Sequence, residues 1–211
     1  MKKYLYLQLF IVALMCAVGF YFYDLLPDPM PSHWNFAGEV DGYMTKKSMI
    51  VIIPAITLGM TILFKILSKI DPKRKNYELF KSAWGLLQTT LIAYMAYIYF
   101  VSIYAALSPG VNVGAYVLGG IGALFILLGN FLGKIRQNYF VGIKTPWTLN
   151  SEDNWNKTHR VAGWTFVVGG LLIILQAAFL PHLMAWMFFS TIAVIALLPI
   201  LYSFLIYKWE K

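Results

Sequence analysis

Six apolar stretches of about 20 residues divide the chain, at Tyr4–Leu25, Ser48–Ser68, Ser82–Ala106, Asn112–Gly133, Arg160–Leu180 and Leu183–Tyr207, with edges set to within several residues. Each is as long as a helix must be to cross roughly 30 Å of hydrocarbon. In lipid a backbone has to satisfy its own hydrogen bonds, which leaves helices and closed barrels. Barrel strands alternate apolar and polar over about 10 residues, and these stretches do not. The expected fold is an all-α integral membrane protein of six transmembrane helices. Composition agrees, since only 12% of residues are charged against about 25% in a soluble domain.

The first stretch follows Met-Lys-Lys and so resembles a signal peptide. Its apolar run reaches Phe22, longer than the usual core of such a peptide, and no small-x-small site precedes Phe20-Tyr21-Phe22-Tyr23. It is expected to stay as an uncleaved first span. Cys16 is the single cysteine, which excludes an internal disulfide.

Basic residues fix the expected orientation. Fifteen of the 17 lysines and arginines fall on one side of the six-span layout, and only Lys46 and Lys47 fall on the other. The positive-inside rule makes the basic side cytoplasmic, with both termini facing the cytosol. The net charge of +8 is then explained by orientation and by contact with anionic lipid, and direct nucleic-acid binding is not expected.

Two polar clusters interrupt the apolar pattern, one on each side. The external one, residues 26–47, enters through Pro27, Pro29 and Pro31, carries turn signals at Ala37-Gly38 and Asp41-Gly42, and holds Trp34, Phe36 and Tyr43, residue types suited to the headgroup level. An interfacial loop folded back on the bilayer is expected. Its candidate binding residues are Pro31, His33, Trp34, Gly38, Glu39, Asp41 and Gly42. His33, Glu39 and Asp41 are weak candidate metal ligands, but no ligand spacing supports them, so neither a metal nor a cofactor is expected.

The second cluster is the run Asn138–Leu149, Asn-Tyr-Phe-Val-Gly-Ile-Lys-Thr-Pro-Trp-Thr-Leu, inside a cytoplasmic loop spanning 134–160. Gly142 and Pro146 exclude both a span and a regular helix there, so a shaped loop is expected. Asn150 or Ser151 can cap the helix that follows, with Glu152 and Asp153 in its first turn. Trp155, His159 and Gly163 then share one helical face, and Tyr139, Trp147, Trp155 and His159 are candidates for one aromatic cluster.

The spans hold few ionisable groups, which argues against a proton or cation relay. Thr57, Thr61 and Lys65 share a face, and Gln8, Gln88, Asn130 and Gln176 sit singly elsewhere, as residues that bond helix to helix. Ala115, Gly119, Gly122, Gly129 and Gly133 make a close-approach face on the fourth span, and Gly163, Gly170 and Ala177 another on the fifth. These two spans are expected to be neighbours. On the third, Tyr94, Tyr97, Val101 and Tyr104 form a stripe suited to packing rather than to a groove.

From Gly129-Asn130 through Asn138–Leu149 and Trp155 to Gly163 the chain resembles the signature of the SdpI family, named for membrane immunity proteins of Gram-positive bacteria. The external cluster resembles a domain of unknown function (DUF1648) often found ahead of that signature. The resemblance divides the chain into residues 1–110 and 111–211 within one membrane domain. It implies protection from a secreted antimicrobial peptide toxin, in some members with capture of a cytosolic transcriptional repressor. The motif residues it carries over are Asn138, Gly142, Lys144, Thr145, Pro146, Trp147, Thr148, Trp155, Thr158, His159 and Arg160, with Tyr139 beside them. Lys144 stands where the family often has arginine, which weakens any two-pronged contact there. A transporter is the alternative, opposed by the missing intramembrane charges and the lack of an evident inverted repeat. A membrane enzyme built on His159 with Glu152 or Asp153 lacks any recognised catalytic motif.

Overall fold

The structure, a computed structural model, describes residues 2–35, 39–108, 110–179 and 184–209. In chain order it runs α1 (Lys2–Phe22), β1 (Met30–Trp34), β2 (Val40–Met44), α2 (Lys46–Ile70), α3 (Lys81–Leu107), α4 (Val113–Leu132), α5 (Pro146–Asn150), α6 (Glu152–Phe179) and α7 (Met184–Trp209). Six of these helices are long and apolar enough to cross a membrane, as the sequence predicts. Three of them, α2, α4 and α6, start with ordinary capping chemistry. Thr45 accepts from the Ser48 amide at 3.2 Å, Asn112 from Ala115 at 3.2 Å, and Ser151 from Asn154 at 3.2 Å, so α6 begins where its cap and its two acids indicate.

Contacts between distant residues gather one end of the bundle. Tyr4 meets Ser82 at 3.0 Å, Asp71 meets Tyr139 at 3.0 Å, and Thr145 meets Ser203 at 2.8 Å, which brings together the ends bearing most lysines and arginines. We call this the basic end and the opposite one the hairpin end.

The fourth and fifth spans, now α4 and α6, pack backbone to backbone. A Cβ on Gly122 would sit 2.6 Å from the Gly170 carbonyl oxygen, and one on Gly170 would sit 2.5 Å from that of Gly122. Gly129 and Gly163 repeat the arrangement at 2.6 and 2.9 Å. Gly119 is a correction: it has nothing within 4 Å and belongs to another face. That face, with Gly120, Tyr94 and Tyr97, lines a groove between α3 and α4 of about 390 Å³. The tyrosine stripe therefore does both things, since Tyr97 also donates its hydroxyl to the Tyr116 carbonyl at 2.8 Å.

Gln8 of α1 donates to Gln88 at 3.4 Å and to Thr89 at 3.2 Å on α3, a helix-to-helix bond as expected. Asn130 differs, being exposed and bonded to Ile126 of its own helix at 2.9 Å. Thr57 and Thr61 likewise turn their hydroxyls to Ile53 and Thr57 carbonyls one turn back, at 2.8 and 3.1 Å.

The stretch expected to be external is not an irregular loop but an antiparallel hairpin, with Met30 opposite Met44, Pro31 opposite Tyr43, His33 opposite Gly42 and Trp34 opposite Val40. Asp41-Gly42 lies inside β2 rather than at a turn. The register shifts on both sides of His33, and a Cβ at Gly42 would come within 2.9 Å of that of His33, so glycine admits the bulge. Met30 is fully buried with Leu26, Met15, Met49 and Tyr99, which seats the hairpin on the ends of the first three helices. Phe36, Ala37 and Gly38 lie outside the described residues, and with them the Ala37-Gly38 turn signal and the Gly38 candidate site. The expected start of the last span at Leu183 also lies outside them.

Candidate functional site at the basic end

The run 138–150 is shaped by its own side chains. Asn138, fully buried, accepts from the Phe140 and Val141 amides at 2.9 and 2.7 Å and donates to the Arg136 and Val141 carbonyls, both at 2.9 Å. This is the local turn chemistry asparagine is suited to. Gly142 follows at a φ of 116°, and the Ile143 amide donates to Nε2 of His159 at 2.9 Å. Because Nε2 accepts, it carries no proton, so Nδ1 is the donor to the Trp155 carbonyl at 2.8 Å and the ring is neutral. That ring stacks on Trp155 with centroids 4.0 Å apart, and the indole N–H donates to the Ile135 carbonyl at 2.8 Å.

The loop also contains the short helix α5, a correction to the expectation of a loop without helix. Pro146 starts it, where a missing N–H costs nothing, and Thr145 and Thr148 cap it reciprocally at 3.1 and 2.9 Å. α5 turns Trp147 towards α7, where it meets Phe204 and Tyr207 at centroid distances of 5.0 and 6.3 Å. Thr145 also meets Ser203 of α7, whose carbonyl receives Asn154 at 2.8 Å; Thr158 in turn donates to Asn154 at 3.1 Å.

Trp155 and His159 thus pair as their spacing predicts, but Trp147 and Tyr139 do not join them. Tyr139 is drawn the other way. Its amide donates to buried Asp71 at 3.0 Å, and its ring, 44% exposed, lies near the Lys73 ammonium. Of the candidate residues, Asn138, Thr145, Thr148, Trp155, Thr158 and His159 are buried, Gly142 and Trp147 are half-buried, and only Tyr139, Lys144, Pro146 and Arg160 are exposed.

Sequence reasoning missed several partners of this loop. Gln137 donates to the Thr148 and Leu149 carbonyls at 2.7 and 2.9 Å while its oxygen accepts from Lys73. Tyr77 donates to Asp71 at 3.1 Å; burial, and then the carboxylate's charge, push its hydroxyl well above the usual range and keep it a donor. Asp71 had one visible signal, as the lone acid in a stretch of cations from Lys65 to Lys75.

The candidates of the hairpin stretch lie at the other end of the bundle. His33 pairs with Asp41, while Glu39 accepts from Asn35 at 3.0 Å, so the three weak metal candidates do not converge. Among the described residues no three metal-ligating side chains gather. Pro31 and Gly42 face their strand partners, and Trp34 is half-buried.

Comparison with known proteins adds three findings. Residues 134–203 match the SdpI/YfhL protein family, and residues 10–58 match a domain of unknown function (DUF1648). "Immunity protein SdpI" of Bacillus subtilis (strain 168) is 27% identical over 179 residues, covering 85% of this chain and 83% of that protein. No solved structure matches significantly. The six long apolar helices make this chain a multi-pass membrane protein, similar over residues 134–203 to the SdpI/YfhL family and over residues 10–58, ahead of that segment, to DUF1648.

Proposed function

We propose that this is a membrane immunity protein that protects its cell from a secreted antimicrobial peptide and carries out no enzymatic chemistry. The likeness to Immunity protein SdpI carries this reading, because it extends over 85% of the chain and is not confined to the motif. In the proposed orientation the basic end lies in the cytosol and the hairpin end outside the cell membrane, in keeping with the charge distribution. The peptide meets the hairpin or the outer faces of the helices. The basic end supplies the signal, by holding a cytosolic transcriptional repressor. That both nitrogens of His159 are engaged within the fold supports a shaping rather than a catalytic role for it.

In this reading the buried motif residues give the loop its form, and Tyr139, Lys144, Pro146 and Arg160 present its surface. Deleting the gene and exposing cells to the peptide toxins of the strain and its relatives is expected to lower survival sharply. Unchanged survival against all of them would rule the reading out. Tyr139→Ala combined with Lys144→Ala is expected to weaken induction of an immunity-gene reporter with membrane levels unchanged. His159→Ala is expected to lower the level of the protein itself, and immunoblots of membrane fractions separate the two outcomes.

A further inference from the structure

Asp71 caps the C-terminal end of α2 and is only 1% exposed, yet no lysine or arginine nitrogen among the described residues lies within ion-pair distance of it. The nearby Lys73 ammonium is turned to Gln137 instead. A buried carboxylate is costly unless hydrogen bonds satisfy it. Three do: the Lys73 amide at 2.7 Å, the Tyr77 hydroxyl at 3.1 Å and the Tyr139 amide at 3.0 Å. The first two are local, and the third reaches 68 residues along the chain to the motif loop.

The other end of α2 is equally committed. β2 runs into it through the Thr45 cap. Lys46, its first residue, donates from its ammonium to the Tyr23 and Leu26 carbonyls at 3.2 and 3.5 Å and from its amide to Asp28 at 3.3 Å. Between these anchors much of α2 faces outward, with Val51, Ile56, Ile62 and Ile66 exposed. A single helix therefore joins the hairpin to the motif loop, bonded to each at its ends and packed along one face by Met49, Pro54, Thr57 and Thr61.

We propose that Asp71 is a positioning residue for the motif loop, and that through it α2 couples the hairpin end to that loop. The coupling is a property of the fold and does not depend on which molecule either end meets. Releasing α2 at its start must then loosen the loop at the far end, by way of the Asp71–Tyr139 bond.

The test is hydrogen exchange of the Tyr139 amide in the whole protein, reconstituted in lipid nanodiscs, for the parent, Lys46→Ala, Asp71→Asn and the double variant. Asp71→Asn is expected to speed exchange at Tyr139 by about fivefold or more, the lower end of typical site-to-site coupling. Lys46→Ala is expected to speed it as well, and the double variant to exchange no faster than Asp71→Asn alone. If Lys46→Ala leaves Tyr139 unchanged, or if the two effects multiply, the coupling is wrong. Should Asp71→Asn fail to accumulate, Tyr77→Phe removes one of the three bonds, keeps the carboxylate, and takes its place in the same comparison.

Discussion

Gly170→Ala is expected to lower both the membrane level and the thermal stability of the protein, while Gly119→Ala leaves them at the parent values. Both substitutions add one methyl group to a glycine of a membrane-spanning helix. At Gly170 that methyl would fall 2.5 Å from the Gly122 carbonyl oxygen, an atom of rigid helical backbone that cannot turn aside. Helices α4 and α6 would have to move apart, and overpacking of this kind costs about 1–3 kcal/mol. At Gly119 the methyl meets nothing within 4 Å. Thermal unfolding in detergent measures the contrast, and equal midpoints for the two variants would contradict the described helix contact.

Gly142→Ala is expected to disrupt the motif loop more than removal of any exposed residue in it. Two costs add. The φ of 116° disfavours any residue with a Cβ, by roughly 1–3 kcal/mol. The new Cβ would also lie 2.3 Å from Nε2 of His159, the atom that receives the Ile143 amide. His159 cannot retreat, because it is stacked on Trp155 and bonded to that residue's carbonyl. Losing the bond to Ile143 adds about 1–3 kcal/mol for an unpaired, partly buried amide. His159→Ala would lose the same bond yet make room for the methyl. Combining it with Gly142→Ala should therefore cost less than the sum of the single changes, and strictly additive losses in an unfolding series would argue against the contact.

What was legible in the chain follows from the range of each interaction. Features with a period, or with partners a turn away, could be read directly. Examples are the apolar stretches, the Ser151 cap, the Trp155–His159 face and the neighbouring of α4 and α6. Gly119 misled because it sits three residues before Gly122 and fits the same spacing rule, although only the partner helix decides which glycines it touches. The hairpin was hidden because prolines and Asp41-Gly42 suggest an irregular loop, whereas their partners lie across a bulge that only the folded register reveals. Trp147 was assigned to the wrong neighbours for a similar reason: α5 aims it at Phe204 and Tyr207, more than 50 positions along the chain. Asp71 and Ser203 leave no periodic trace at all, since what marks them is bonding to residues far along the chain, Tyr139 for Asp71 and Thr145 and Asn154 for Ser203.

The paired glycines of α4 and α6 constrain motion as well as packing. Gly122 with Gly170 and Gly129 with Gly163 are two separate places where the helices touch, seven residues apart on each and so roughly 10 Å apart along the axes. A single touching point would let two rods pivot about it. Two points fix the crossing angle and the sliding position together, leaving α4 and α6 to move only as one unit. Any rearrangement of this protein must then take place in the helices outside that clamp.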